Sequence, residues 1–527
     1  MRTSTAPRDP VRLAKTPRVV RVHRLPSCLA IAALTSACLH RGASPPAAEA
    51  APPVAAVASS TSETTPVGLD ERLDAVTSFY AQRDLFSGTV LVASGDDIVF
   101  TRAYGKADVS QDIDNDLDTI YRIGSVAKQF TAAIALRMVE AGTLDIEAPI
   151  TTYLPDYPRP QGDRITLHML LSHTSGIPSY TALPMYQHNK ARPEPPQQFI
   201  EKFASLDLEF EPGSRFQYSN SGYYLLGVIL ERVAGRDLAT LLRTELLDPL
   251  ELHDTGYDDA PLAGQRRARG YTWNGETHEP ETPVDPSKIF AAGMMYSTAK
   301  DLLRWTRALH AGTPFREADT HLAMTELPAG KDSNYQFGLG IVTRDIAGRS
   351  RVGAGHGGGL EGFQSSVVYI PDEQWTVVVL CNSGDEVGPL ADSLMSTLAG
   401  GPPDPPVVPL SREFGRLVRE RGLAAAQAWL REISSSGAVR LSVDAQALNE
   451  LGDLYLSRDE GDHAVAVFEI VVEVFPQSAA AFGRLGEALL ATNDEARALQ
   501  NFDKALELDP SNEDVAAVVQ RLRATAR

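Results

Sequence analysis

Two patterns of apolar positions recur along the chain, one with the short period of a strand and one with that of a helix. Residues 89–93 and 98–104 are runs rich in β-branched and aromatic side chains, parted by Ser94-Gly95-Asp96-Asp97, and read as a hairpin. A matching pair lies far downstream at 366–370 and 375–380, with Pro371-Asp372-Glu373 as its turn. Helical spacing fills the stretch from Leu69 to Gln82, much of the interval between the hairpins, and the segment from Gly388 to Leu398. Strands at both ends and helices in the middle predict an α+β arrangement, one mainly antiparallel sheet closed by both termini with helices against it.

One helical run breaks the surface-helix pattern. From Val126 to Leu136 the residues are apolar or small on almost every side, ending before Gly142, so the run predicts a buried helix. Its start carries a serine and a lysine, Ser125 and Lys128, where only apolar residues would be expected. Residues three apart share a helix face, with Cβ atoms roughly 5–6 Å apart, so the Lys128 amine can reach the Ser125 hydroxyl.

The pattern changes again past Gly401-Pro402-Pro403-Asp404-Pro405-Pro406. Leu451, Gly452, Ala464, Phe468 and Pro476 return 34 residues later as Leu485, Gly486, Ala498, Phe502 and Pro510. Identities at one fixed spacing mark an internal repeat, and these resemble tetratricopeptide repeats, helix pairs with small residues where the helices cross. The flanking helical segments, from Arg412 to Ile433 and after Ser511, would cap the two repeats. Such a region either packs as a scaffold or binds a peptide or protein in its groove.

The opening residues belong to neither pattern. Arg2, Arg8, Arg12, Lys15, Arg18, Arg21 and Arg24 precede a short apolar run, 28–34, and then Thr35-Ser36-Ala37-Cys38. A charged segment, an apolar segment too short to span a bilayer and small residues at a cut site describe an export signal. It resembles a bacterial lipoprotein signal, with Cys38 the candidate for lipidation, although Thr35 stands where that signal usually has leucine. The expected organisation is therefore an export signal over 1–38 and an Ala/Pro/Ser-rich tether over 39–67. A catalytic domain over 68–400, a Pro-rich linker over 401–409 and a helical repeat region over 410–527 complete it.

Composition narrows the functions open to such a chain. The 527 residues carry a formal net charge of −19, and the basic opening hides a remainder more negative still. Polyphosphate binding needs a basic surface, so nucleic acid is excluded as a partner. The chain has three cysteines; with Cys28 and Cys38 in the targeting segment, Cys381 stands alone and cannot close an internal disulfide.

The remaining candidate chemistry lies in two short motifs downstream of Ser125. Tyr218-Ser219-Asn220 offers a phenol that a cationic lysine could shift toward phenolate, and an amide that could hold a substrate carbonyl. Gly355-His356-Gly357-Gly358-Gly359 precedes the second hairpin, where glycines entering an edge strand let a ligand approach backbone N–H groups. The stretch also fits a dinucleotide-binding pattern, but strand-like sequence follows it rather than a helix, so no cofactor is expected. His173 suggests a Ser-His-Asp triad, yet no Gly-x-Ser-x-Gly elbow accompanies it, and no His-Glu-x-x-His pair offers a zinc site.

Ser-x-x-Lys, Tyr-x-Asn and His-x-Gly, in that order, resemble the serine beta-lactamase and DD-peptidase superfamily, with a closer likeness to its class C-like branch of esterases and D-aminopeptidases. The stretches Ala141-Gly142-Thr143-Leu144-Asp145 and Leu170-Leu171-Ser172-His173-Thr174-Ser175-Gly176 resemble that branch too. The resemblance implies a beta-lactamase/transpeptidase-like α/β (α+β) sandwich, an antiparallel sheet with helices on both faces plus an all-helical domain. It also implies that Ser125 is acylated, that Lys128 and Tyr218 shuttle its proton, and that Asn220 helps hold the substrate. It puts His356 at the third-motif position beside Gly358, with backbone N–H groups of Ser125 and Gly359 as the oxyanion hole. Penicillin-recognising members carry Lys-Thr-Gly where this chain has His356-Gly357-Gly358. A mostly neutral imidazole anchors a carboxylate poorly, which favours esters or peptide-like amides unless Arg349 or Arg351 supplies the charge. The expected function is an exported, metal-free serine hydrolase acting on a small-molecule or peptide-like substrate. The alternatives are a true beta-lactamase or DD-carboxypeptidase, and an idle member that acts as a binding module through its repeats.

Overall fold

The computed structural model describes residues 68–259, 266–282, 284–327, 333–436 and 439–525. The export signal with Cys28 and Cys38, and the whole of the tether, lie outside the described residues. A seven-stranded antiparallel sheet organises the first part. From edge to edge its strands are Tyr335–Gln336, Leu339–Ile346, Arg349–Leu360, Phe363–Ile370, Trp375–Cys381, Gly88–Ser94 and Asp97–Tyr104. The two hairpins expected from sequence are therefore neighbours, joined where Gly88 faces Cys381 and Val92 faces Val377.

Alternation along these strands divides the interior in two. Val90, Val92, Val377, Val379 and Cys381 point to one face, where the helices Leu69–Ala81 and Gly388–Leu398 pack against the sheet and each other. Leu91, Ala93, Val378 and Leu380 point to the other, into the larger core built around the helix Ala127–Glu140. Strands buried on both faces read as unbroken apolar runs, and for that reason 89–93 and 375–380 stood out in the sequence.

The strand Arg349–Leu360 had no such signature, because its second half is Gly355-His356-Gly357-Gly358-Gly359. It lies inside the sheet, but its pairing with Leu339–Ile346 stops at Gly340 opposite Gly355. Beyond that point residues 356–360 pair only with Phe363–Ile370, so they form a local edge, as the glycines suggested.

The C-terminal region is helical and has a core of its own, from Leu410 to Leu522. Its helices include Ala445–Ser457, Gly461–Val474, Ala479–Ala491 and Glu495–Leu508. A Cβ on Gly452 would lie 2.4 Å from the Phe468 ring and one on Gly486 2.7 Å from the Phe502 ring, so the 34-residue echo repeats one helix-crossing contact. Residues 401–409 do not stand free of the body: Val407–Pro409 pairs in parallel with Arg440–Ser442, and the Val407 N–H donates to the Tyr80 hydroxyl at 3.2 Å. Among the described residues no helix is long and apolar enough to cross a membrane.

Candidate active site

Ser125 sits in a 3-10 turn, Gly124–Val126, that leads directly into the helix Ala127–Glu140. All of residues 127–136 are buried, as the all-round apolar run predicted, and Lys128 has no exposed surface. Its Nζ lies 2.9 Å from Ser125 Oγ, 2.8 Å from Asn220 Oδ1 and 2.5 Å from the Ala292 carbonyl oxygen. Among the described residues none of its partners is a carboxylate. Burial therefore holds the amine well below its ordinary pKa, which favours the neutral form a proton acceptor needs.

Tyr218 and Asn220 arrive together at the start of the helix Asn220–Ala234. The Asn220 amide is fixed at both ends, its oxygen on Lys128 and its Nδ2 donating to Thr181 Oγ1 at 3.1 Å. The Tyr218 ring lies beside the lysine, with Nζ 5.0 Å from its centroid. Its hydroxyl is buried and has no hydrogen-bond partner. Burial pushes the phenol pKa up, and the nearby Ser125 hydroxyl, short of hydrogen-bond geometry, lowers it by less. The expected shift toward phenolate is thus corrected: the lysine that would drive it is itself pushed toward neutrality.

The glycine-rich strand closes the site from the other side. A Cβ on Gly358 would lie 2.0 Å from the Ile123 carbonyl oxygen, and one on Gly124, whose φ is +50°, 2.8 Å from the Gly359 nitrogen. Only glycines allow the serine turn and the strand to approach this closely. Ser365, opposite Gly358 across the strand pair, ties the two together by donating to the Ile123 carbonyl at 2.8 Å. The Gly359 N–H is thereby brought next to the peptide that precedes Ser125.

His356 is partly exposed, its ring centroid 6.1 Å from that of Tyr218, and its Nε2 is 3.1 Å from the Tyr335 hydroxyl. Burial first, and the proximity of Lys128 second, bring its pKa down to about 4. Neither arginine weighed as a substitute anchor can help it. Arg351 is buried against Glu373 at 2.6 Å, and five to seven positions of extended strand separate the pair from His356, about 17–23 Å.

Structure thus gathers Ser125, Lys128, Tyr218, Asn220, His356, Gly358 and Gly359 in one place. Sequence reasoning missed the Ala292 carbonyl, Thr181, Tyr335 and Ser365. A backbone acceptor carries no side-chain signal, and the others lie outside any motif. No cluster of three His, Cys, Asp or Glu side chains placed to hold a metal occurs among the described residues.

Comparison with known proteins decides the family. The family model described as Beta-lactamase matches residues 73–397, more than half of the chain. The chain belongs to the beta-lactamase family. It is a serine hydrolase of the beta-lactamase type, and the match ends before the C-terminal helices begin. It is 30% identical over 311 residues to Esterase EstB of Burkholderia gladioli, covering 52% of this chain and 77% of the esterase. Among solved structures it is similar to the D-amino acid amidase from Ochrobactrum anthropi SV3 bound to L-phenylalanine amide. That match has a TM-score of 0.55 at 25% identity and covers 63% of this chain and 99% of the amidase. It also resembles the octameric penicillin-binding protein homologue from Pyrococcus abyssi, with a TM-score of 0.55 at 25% identity over 63% of this chain and 78% of that one.

Proposed function

We propose that this protein is an exported, metal-independent hydrolase that cleaves an ester or peptide-like amide through an acyl-enzyme on Ser125. Lipidation at Cys38 would tether it, and the helices past residue 410 would serve as a tetratricopeptide-like scaffold or partner-binding region. The observation that carries the catalytic reading is the Lys128 amine, fully buried, unpaired with any carboxylate among the described residues and 2.9 Å from the Ser125 hydroxyl.

In this reading the neutral amine takes the Oγ proton as Oγ bonds to the substrate carbonyl carbon. The carbonyl π electrons move onto oxygen, where the N–H groups of Ser125 and Gly359 receive the charge. Such a donor contributes about 2.7–4 kcal/mol to the transition state, and the positive end of the Ala127–Glu140 helix adds to it. Collapse breaks the bond to the leaving alkoxide or amine, which takes the Tyr218 proton. The Lys128 ammonium then returns a proton to Tyr218, restoring both groups. Water attacks the acyl carbon by the same relay, and the second hydrogen of Asn220 Nδ2 is available to the substrate carbonyl or amide. A phenol kept protonated by burial suits a proton donor.

His356, held neutral near pH 7, supplies neither the cation nor the hydroxyl of Lys-Thr-Gly, which supports a substrate without the beta-lactam carboxylate. An esterase and a D-amino acid amidase among the similar proteins bring the same two bond types. The test combines a fluorophosphonate, a short-chain aryl ester and a chromogenic cephalosporin. The expected result is a mass shift on Ser125 with ester turnover and no cephalosporin turnover. Cephalosporin hydrolysis would move the assignment to a true beta-lactamase or DD-carboxypeptidase. An unmodified Ser125 with every reagent would leave a binding module.

A further inference from the structure

His173 is a buried titratable group that this relay leaves unused. It is 1% exposed, and its backbone is left-handed, with φ +56°. Histidine visits that region more readily than most residues, but at a cost, so the surrounding contacts must hold it there. Two of those contacts flank one residue of the proposed relay. The His173 carbonyl oxygen accepts from the Gln217 N–H at 2.9 Å, and its Nδ1 accepts from the Ser219 N–H at 3.1 Å. A single residue thus grips the chain immediately before and after Tyr218.

The ring supports the same side chain from behind. Its centroid is 4.2 Å from that of Tyr218, with Tyr335 at 4.7 Å and Tyr223 at 5.1 Å completing the packing. Because a backbone N–H can only donate, Nδ1 must be bare and the proton must sit on Nε2, which is buried and without a partner. Burial, with Lys128 and His356 nearby, keeps the imidazole neutral. A second proton would set Nδ1–H against the Ser219 N–H and open the splint.

We propose that His173 is the positioning residue for Tyr218, fixing the phenol against Ser125 by holding the peptides on both sides of it and backing its ring. The inference rests on the relay proposed above, and its test separates the two. Full-length His173→Gly and His173→Asn are compared with wild type. Glycine adopts φ +56° freely and keeps the carbonyl, but removes the ring and the Nδ1 acceptor. Asparagine also tolerates that φ and retains a side-chain acceptor.

Acylation of Ser125 by the aryl ester is expected to fall about 10–100-fold in His173→Gly, the scale of a misplacement of about 1 Å, with an altered pH profile. His173→Asn should recover most of that loss. Crystal structures of the variants should show the Tyr218 phenol displaced from Ser125 in His173→Gly and nearer its wild-type place in His173→Asn. A wild-type rate and pH profile per folded molecule in His173→Gly, or an unmoved phenol, would overturn the proposal. Should the glycine variant not fold, the same readouts on His173→Asn decide: wild-type placement and rate uphold the splint, and a fall as large as expected for glycine rejects it. If wild-type Ser125 proves unreactive, the relay fails and the crystallographic comparison alone judges His173.

Discussion

At the scale of single residues, the site holds polar groups where burial costs most, and each cost has a readable direction. The Tyr218 hydroxyl is buried and unpartnered. Tyr218→Phe keeps the ring contacts and deletes that atom, so thermal unfolding should stay level or rise while turnover falls about 10²–10⁴-fold, the range for a positioned proton donor. Loss of stability without loss of rate would remove Tyr218 from the chemistry. Lys128→Arg separates charge from proton transfer in the same way. A guanidinium can still donate to Asn220 and Ala292 but stays protonated at any accessible pH. Fluorophosphonate labelling of Ser125 should then drop by a similar factor, whereas near wild-type labelling would mean that the amine acts only as a charge. Such residue-level logic was largely legible in the sequence for Ser125 and Lys128, because a spacing of three is a local property of helices. It was not legible for their surroundings. Ala292 contributes only a carbonyl, and the desolvation that sets the protonation of Lys128 and Tyr218 comes from residues scattered across the fold.

At the scale of elements, the decisive pairing is a helix start against a strand of glycines. Apolar runs announced the sheet centre at 88–94 and 375–381, since strands covered on both faces have no polar side. The twelve-residue strand Arg349–Leu360 left no trace in the apolar pattern, only in its glycines, because close approach to the serine turn requires the residue type least suggestive of a strand. That requirement is specific to position. A Cβ on Gly358 meets the Ile123 carbonyl at 2.0 Å and Ser365 Oγ at 2.5 Å, while one on Gly359 meets only the Gln364 side chain at 3.2 Å. Gly358→Ala should therefore push strand and turn apart, costing about 1–3 kcal/mol of stability and most of the acylation rate. Gly359→Ala should fold normally, because the amide it faces can swing away. Urea denaturation of the two variants, with acylation rates on the folded fractions, checks the contrast, and equal behaviour would mean that the strand has slack.

At the scale of the whole molecule, one hairpin, Tyr271–Trp273 with His278–Pro280, is a place where the hydrolase and the C-terminal helices meet. Arg412, 7% exposed, pairs with Asp385, lies 3.2 Å from His278 Nε2 and rests 4.0 Å above the Trp273 ring. Arg458 grips Glu276 at the hairpin tip with both terminal nitrogens. The same stretch of chain runs on from the hairpin to Ala292, whose carbonyl receives the Lys128 amine. The C-terminal helices therefore contact a segment that runs on to the candidate site. The sequence predicted a boundary near residue 401 but gave no sign of this contact, since an arginine in an amphipathic helix looks like any solvated charge. Arg412→Ala leaves the half-buried Asp385 to Ser383 and His278 alone and uncovers Trp273, a defect on the scale of about 1–3 kcal/mol. Calorimetry should show one transition in wild type dividing into two, with the helical core melting first. If the variant still melts as one unit at the wild-type temperature, the two cores hold together by other contacts. A second test of the whole fold uses acid. His173, His310 and His356 are all held below the ordinary value of 6.5, with His310 and His356 at about 4. Between those limits the unfolded chain takes up protons that the folded chain refuses, so stability must fall as pH falls from about 6.5 to 4. Melting temperatures measured across that window should slope downward toward acid, and His310→Phe, which keeps a ring against Tyr369, should flatten part of the slope without touching the active site.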